Sequence, residues 1–85
     1  MGSTTIAARV RRVLGEHAEL RMNLATLADG DDLYDAGMTS RASVSVMLAL
    51  ENEFDVEFPD EMLRRDVFES VAAIATAIER IIEAR

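Results

Sequence analysis

Ser40 is the residue whose type and position offer chemistry in this sequence. A serine hydroxyl is a nucleophile only with a base beside it. The single histidine, His17, falls at the end of a predicted first helix, and no acid–base or nucleophile–base constellation is legible elsewhere. The chain is therefore predicted not to be an enzyme in its own right, with no catalytic residues. Ser40 stands at the predicted start of a helix, where free N–H groups and a partial positive charge favour an attached phosphate. The same place suits a helix cap, and position alone leaves both roles open. With Thr39 as the cap, Ser40 is freed for chemistry. Asp29 to Asp35 has the composition of a calcium loop. A count begun at Asp29 ends at Ser40, and one begun at Asp31 ends at Ala42, so neither closes on the required Glu. That segment reads as a turn, and no metal site is predicted.

The elements that must position Ser40 follow from periodicity. Ser3, Thr4 and Thr5 are cap residues ahead of a stripe of Ile6, Val10, Val13 and Leu14, which share one helical face. This first helix is expected to end at Gly15 or just after it. From Glu16 to Thr39 the periodicity fades into a long loop, in which Asp29-Gly30-Asp31-Asp32 is turn chemistry and a short extra turn has room. A second helix is predicted from Thr39 or Ser40 to about Phe54. Pro59 ends the segment after it and suits the first turn of a short third helix, Asp60 to Arg65. Ser70 caps the last helix, whose stripe is Val71, Ile74, Ala75, Ile78, Ile81 and Ile82. No strand-like alternation competes. The reading is all-α: a small bundle of three main helices plus one short helix, with a long loop between the first two.

At about 100° per residue, Val46, Met47, Leu50 and Phe54 fall in one quadrant of the second helix, the predicted core face. Val44 and Leu48 lie opposite, beside Arg41. A helix packed on one side has no need of that second stripe, which reads either as a docking surface or as ordinary scattered surface apolarity.

Composition narrows the partners. The 85 residues make one small domain, 1–85, without room for a deep cleft and its scaffold. There is no cysteine, hence no disulfide and no thiolate metal site. No apolar run approaches a membrane span and no signal-peptide pattern opens the chain, so the expected compartment is the cytoplasm. The net charge of −7 disfavours nucleic acid and anionic membranes and favours basic patches on protein partners. Glu51, Glu53, Asp55 and Glu57, continued by Asp60 and Glu61, form the acidic stretch that would meet them, interrupted by Arg64 and Arg65. A monomer is expected.

Asp35-Ala36-Gly37-Met38-Thr39-Ser40, followed by the run from Val44 through Phe54 and Pro59 to Glu61, resembles the acyl carrier protein family. Its pattern is a Gly shortly before an Asp-Ser-Leu triplet, an apolar helix, an acidic stretch ending in Phe, and an extended segment into Pro-Asp. The resemblance covers nearly the whole chain. It implies the acyl-carrier bundle, with 4′-phosphopantetheine from coenzyme A attached covalently at Ser40. The family's Asp is Thr39 here and its Leu is Arg41. Thr39 still caps the helix, whereas Arg41 changes a position that partner enzymes touch. Gly-Met-Thr-Ser-Arg-Ala-Ser-Val is similar to bacterial aminoacyl carrier proteins, charged by truncated homologues of seryl-tRNA synthetase with glycine or alanine.

That resemblance implies two loading stages. A phosphopantetheinyl transferase supplies the base and Mg²⁺ for Ser40. An ATP-dependent amino acid:carrier protein ligase then forms the thioester, which a downstream acceptor enzyme consumes. Thr39, Arg41, Val44, Leu48, Glu51 and Glu57 are the candidate partner-binding residues. The alternatives are an acyl carrier for fatty acid, polyketide or peptide synthesis, and a plain acidic helical adaptor in which Ser40 is only a cap.

Overall fold

In the computed structural model, which describes residues 5–85, Thr5 starts the first helix: its Oγ1 accepts the Ala8 N–H at 3.1 Å. Ser3 and Thr4, the other predicted cap candidates, lie outside the described residues. Helix α1 runs Ile6–His17, α2 Ser40–Phe54 and α3 Val71–Glu83. Thr39 caps α2 through the Ala42 N–H at 3.0 Å, and Ser70 caps α3 through the Ala73 N–H at 3.0 Å. Asp55 stops α2 in the left-handed region, φ 54 and ψ 51, and its N–H returns to the Glu51 carbonyl. Aspartate tolerates that conformation better than most residues. The described residues form an all-helical fold without strands.

The three stripes meet in one core. Val10, Leu14, Val46, Leu50, Val71, Ile74 and Ile78 are fully buried, with Leu33 from the long loop among them. On α2 the inward face is Ala42, Val46, Leu50 and Phe54. Met47, predicted with them, is only half-buried and packs against the core from its margin, while Ala42 is buried in its place on the inward face.

The predicted short third helix is two separate 3-10 turns, Asp60–Met62 and Arg65–Phe68. Leu63 and the extended Arg64 break them apart. So few residues cannot recover the cost of nucleating an α-helix. Buried Phe68 anchors the second turn, with its ring 5.2 Å from that of Phe58. No described helix is long and apolar enough to cross a membrane.

The long loop is held, with one 3-10 turn at Leu24–Thr26. Arg11 reaches across from α1 to the carbonyls of Leu24 and Leu27, at 3.2 and 2.6 Å, and to Asp29 at 2.6 Å. Asp32 Oδ1 accepts the N–H groups of Tyr34 and Asp35. The Leu33 N–H donates to the Glu69 carbonyl at 2.7 Å, and the Ala72 N–H to that of Asp29 at 2.9 Å. These bonds tie the loop to the start of α3. Gly37, at φ 118, lies under Arg21: a Cβ there would stand 2.8 Å from the Arg21 side chain. That glycine lets the loop fold close as it enters α2.

Glu53 joins α1 to α2. It pairs with Arg9 at 2.9 Å and Arg12 at 2.6 Å, and Arg9 also lies over the Phe54 ring. Hydrogen bonds from Arg9 and then Arg12 hold its carboxyl below the ordinary value of 4.5. A depressed carboxylate pKa stabilises the fold above the unfolded value, and that gain is lost as pH falls through the folded one. Glu53→Gln should therefore melt below wild type at neutral pH. The gap should close on acidification below about 4.5 in parallel thermal melts. A gap of constant size would show that the ion pairs contribute nothing.

Candidate functional site

Ser40 is the first residue of α2 and is exposed. Thr39 has already taken the capping role, through its Oγ1 to Ala42 and its carbonyl to the Ser43 N–H at 2.9 Å. The Ser40 carbonyl accepts the Ser43 hydroxyl at 2.7 Å. The Ser40 hydroxyl itself bonds to no group among the described residues, nor do the N–H groups of Ser40 and Arg41. An uncommitted hydroxyl thus stands beside two free donors at the positive end of a helix, suited to a phosphoester.

Arg41, Val44 and Leu48 continue from Ser40 along one exposed side of α2. Val44 and Leu48 keep 53% and 56% of their surface open, which makes them the two most exposed large apolar side chains described. The acidic stretch divides. Glu57, Asp60 and Glu61 are exposed. Glu51 is half-buried, and its Oε2 accepts the Phe58 N–H at 2.9 Å, holding the segment after α2. Glu53 turns to α1 and is spent on two arginines. The structure therefore gathers Ser40, Arg41, Val44 and Leu48 with an acidic margin, and leaves Glu53 out. His17 closes α1 and lines a different groove, with Leu48 and Asn52.

Sequence reasoning missed a groove of about 390 Å³ that opens at Ser40. Val44, Met47, Leu63 and Phe68 give it an apolar lining, and Tyr34, Arg64 and Arg65 line it too. The Arg65 guanidinium lies 3.8 Å over the Tyr34 ring. Its signals were weak ones: a Met at the edge of the core stripe and a Leu set beside two arginines.

Residues 4–78 match the profile of a family described as "Phosphopantetheine attachment site". The chain belongs to this family. It is 41% identical over 78 residues to the aminoacyl carrier protein of Agrobacterium fabrum, covering 92% of this chain and 94% of that one. It also matches a chain in the crystal structure of an engineered Bradyrhizobium japonicum glycine:carrier protein ligase complexed with carrier protein from Agrobacterium tumefaciens and ATP. That match has 42% identity and a TM-score of 0.86, over 89% of this chain and 99% of that one. A chain in the crystal structure of the Bradyrhizobium japonicum glycine:carrier protein ligase complexed with glycylated carrier protein matches with 26% identity and a TM-score of 0.73, over 85% of this chain and 96% of that one.

As a member of this family the chain is a carrier protein and not an enzyme, and the family implies a covalently attached phosphopantetheine. The residues present fit that group: a free, exposed hydroxyl, two unspent N–H donors, and an open groove alongside.

Proposed function

We propose that this protein is an aminoacyl carrier that bears 4′-phosphopantetheine on Ser40 and presents a small amino acid, glycine or alanine, as a thioester. The observation that carries this reading is the division of labour at the start of α2. Thr39 caps the helix, and the exposed Ser40 hydroxyl has no other engagement among the described residues. The identity to an aminoacyl carrier protein, and the neighbours solved with a glycine:carrier protein ligase, support the class of cargo.

Ser40 Oγ forms the new bond to the β-phosphorus of coenzyme A. The bond to the adenosine bisphosphate leaving group breaks, and the hydroxyl proton passes to a base. A phosphopantetheinyl transferase provides that base, because the only histidine lines another groove. The two free N–H groups at the head of α2 would offset the negative charge of the phosphoester. When bound, the arm supplies the thiol that carries the thioester. This chain supplies the tether point and the surface by which partners find it. Val44 and Leu48 give the ligase an apolar hold, and Arg41 marks the position where the general acyl-carrier pattern has Leu. Glu57, with Asp60 and Glu61, steers basic partners, the transferase and a downstream acceptor enzyme among them.

Loading reads out the cargo. The phosphopantetheinylated protein is incubated with a glycine:carrier protein ligase, ATP and one amino acid at a time, then weighed intact. Glycine or alanine should add one residue that hydroxylamine removes. Acceptance of acyl groups from acyl-activating enzymes, with no amino acid taken up, would overturn the aminoacyl assignment and leave an acyl carrier.

A further inference from the structure

The groove that opens at Ser40 has a charge opposite to that of the chain around it. The protein carries sixteen acidic side chains against nine arginines, yet among the described residues the groove is lined by Arg64 and Arg65 and by no carboxylate. Arg65 is fixed over the Tyr34 ring at 3.8 Å and has no carboxylate within ion-pair distance among the described residues. Among the described residues Arg64 pairs only with Asp66, at 3.3 Å, and both of those side chains are largely exposed. Apolar walls of Met47, Leu63 and Phe68 concentrate the resulting positive potential.

A flexible arm tethered at Ser40 has this groove as its nearest shelter. Where its tip is a thiol or an uncharged acyl group, the arm covers the apolar lining without electrostatic cost. An aminoacyl tip is different. Its free α-amine is mostly protonated near neutral pH, which sets a cation against two arginines. On the reading that Ser40 carries the arm, we infer that Arg64 and Arg65 make the groove a charge-selective berth: it shelters the arm while the tip is neutral and rejects it once an α-ammonium is attached. Loading an amino acid then releases the arm to solvent, where the next enzyme meets it. Unloaded or neutral-tipped arms stay folded back.

Two nearly isosteric cargoes isolate the charge. The transferase installs the arm on ¹⁵N-labelled protein from coenzyme A or from amide-linked glycolyl and glycyl analogues, which differ at the tip as hydroxyl against ammonium. Intact mass confirms one arm on Ser40, and amide shifts are compared with those of the unmodified protein. The thiol and glycolyl forms should move the amides of Met47, Leu63, Arg65 and Phe68. The glycyl form should move these about tenfold less, with its changes confined to the neighbourhood of Ser40. In the Arg64→Gln, Arg65→Gln double variant, glycyl should shift the groove amides as glycolyl does. Equal shifts for glycyl and glycolyl in the wild type, with the arm in place, would overturn the charge selection and leave the attachment intact. Failure to add any arm would overturn both.

Discussion

Ser40→Ala should leave a folded protein that accepts no phosphopantetheine, and Thr39→Ala should do the reverse. Ser40 is exposed, and its hydroxyl bonds to nothing described, so its removal should alter stability by no more than about 0.5 kcal/mol. Thr39 accepts the Ala42 N–H, and its loss should cost about 1 kcal/mol. In a domain of this size that is a fall in Tm of roughly 4–8 °C. Thr39→Ala keeps the hydroxyl of Ser40 and should still be modified. Thermal melts and acceptance assays on the pair separate the two roles that the start of a helix can give a serine. If Ser40→Ala melts low and Thr39→Ala does not, Ser40 is the cap.

Val44→Asp and Leu48→Asp should each lower kcat/KM for aminoacylation of the phosphopantetheinylated protein about tenfold, and together about a hundredfold. Both side chains are more than half exposed, so the fold has no need of them. They stand one turn apart on the side of α2 that begins at Ser40. A partner that buries them loses that contact and gains an unpaired carboxylate in its place. Thr76→Asp, on the exposed side of α3, is the control and should load at the wild-type rate. The rates should be taken with each variant already carrying its arm, so that weakened recognition by the transferase does not intrude. Unchanged kcat/KM in the double variant would remove this face from the docking surface.

What the sequence made legible is local. Thr39 and Ser70 act through bonds to residues a few positions away, so these caps stood out in the letters, whereas the left-handed stop at Asp55 did not. The two faces of α2 followed from periodicity, and the exposed pair Val44 and Leu48 came with them. What stayed hidden depends on partners far apart in the chain. Glu53 read as part of an acidic docking patch because Arg9 and Arg12, some forty residues earlier, leave no mark on its neighbourhood. Arg11 as the strap over the long loop is another such pairing. Met47 falls at the edge of the core quadrant on a helical wheel, and the wheel does not show that this edge borders an open groove. The two 3-10 turns looked like one helix because Pro59 and Asp60 are good starting residues, and the break at Leu63 has no sequence signature. The groove beside Ser40 needed both those turns and Tyr34 in place before it existed.

The most direct test of the central claim is intact mass followed by fragmentation, after incubation with coenzyme A, Mg²⁺ and a phosphopantetheinyl transferase. Ser40→Ala and Ser43→Ala are treated in parallel, with a known carrier modified in the same tube. One phosphopantetheine on wild type and on Ser43→Ala, mapped to Ser40, and none on Ser40→Ala is the predicted result. An arm mapped to another hydroxyl, or a folded wild type left unmodified by both a broad-specificity transferase and the host's own enzyme, would contradict it.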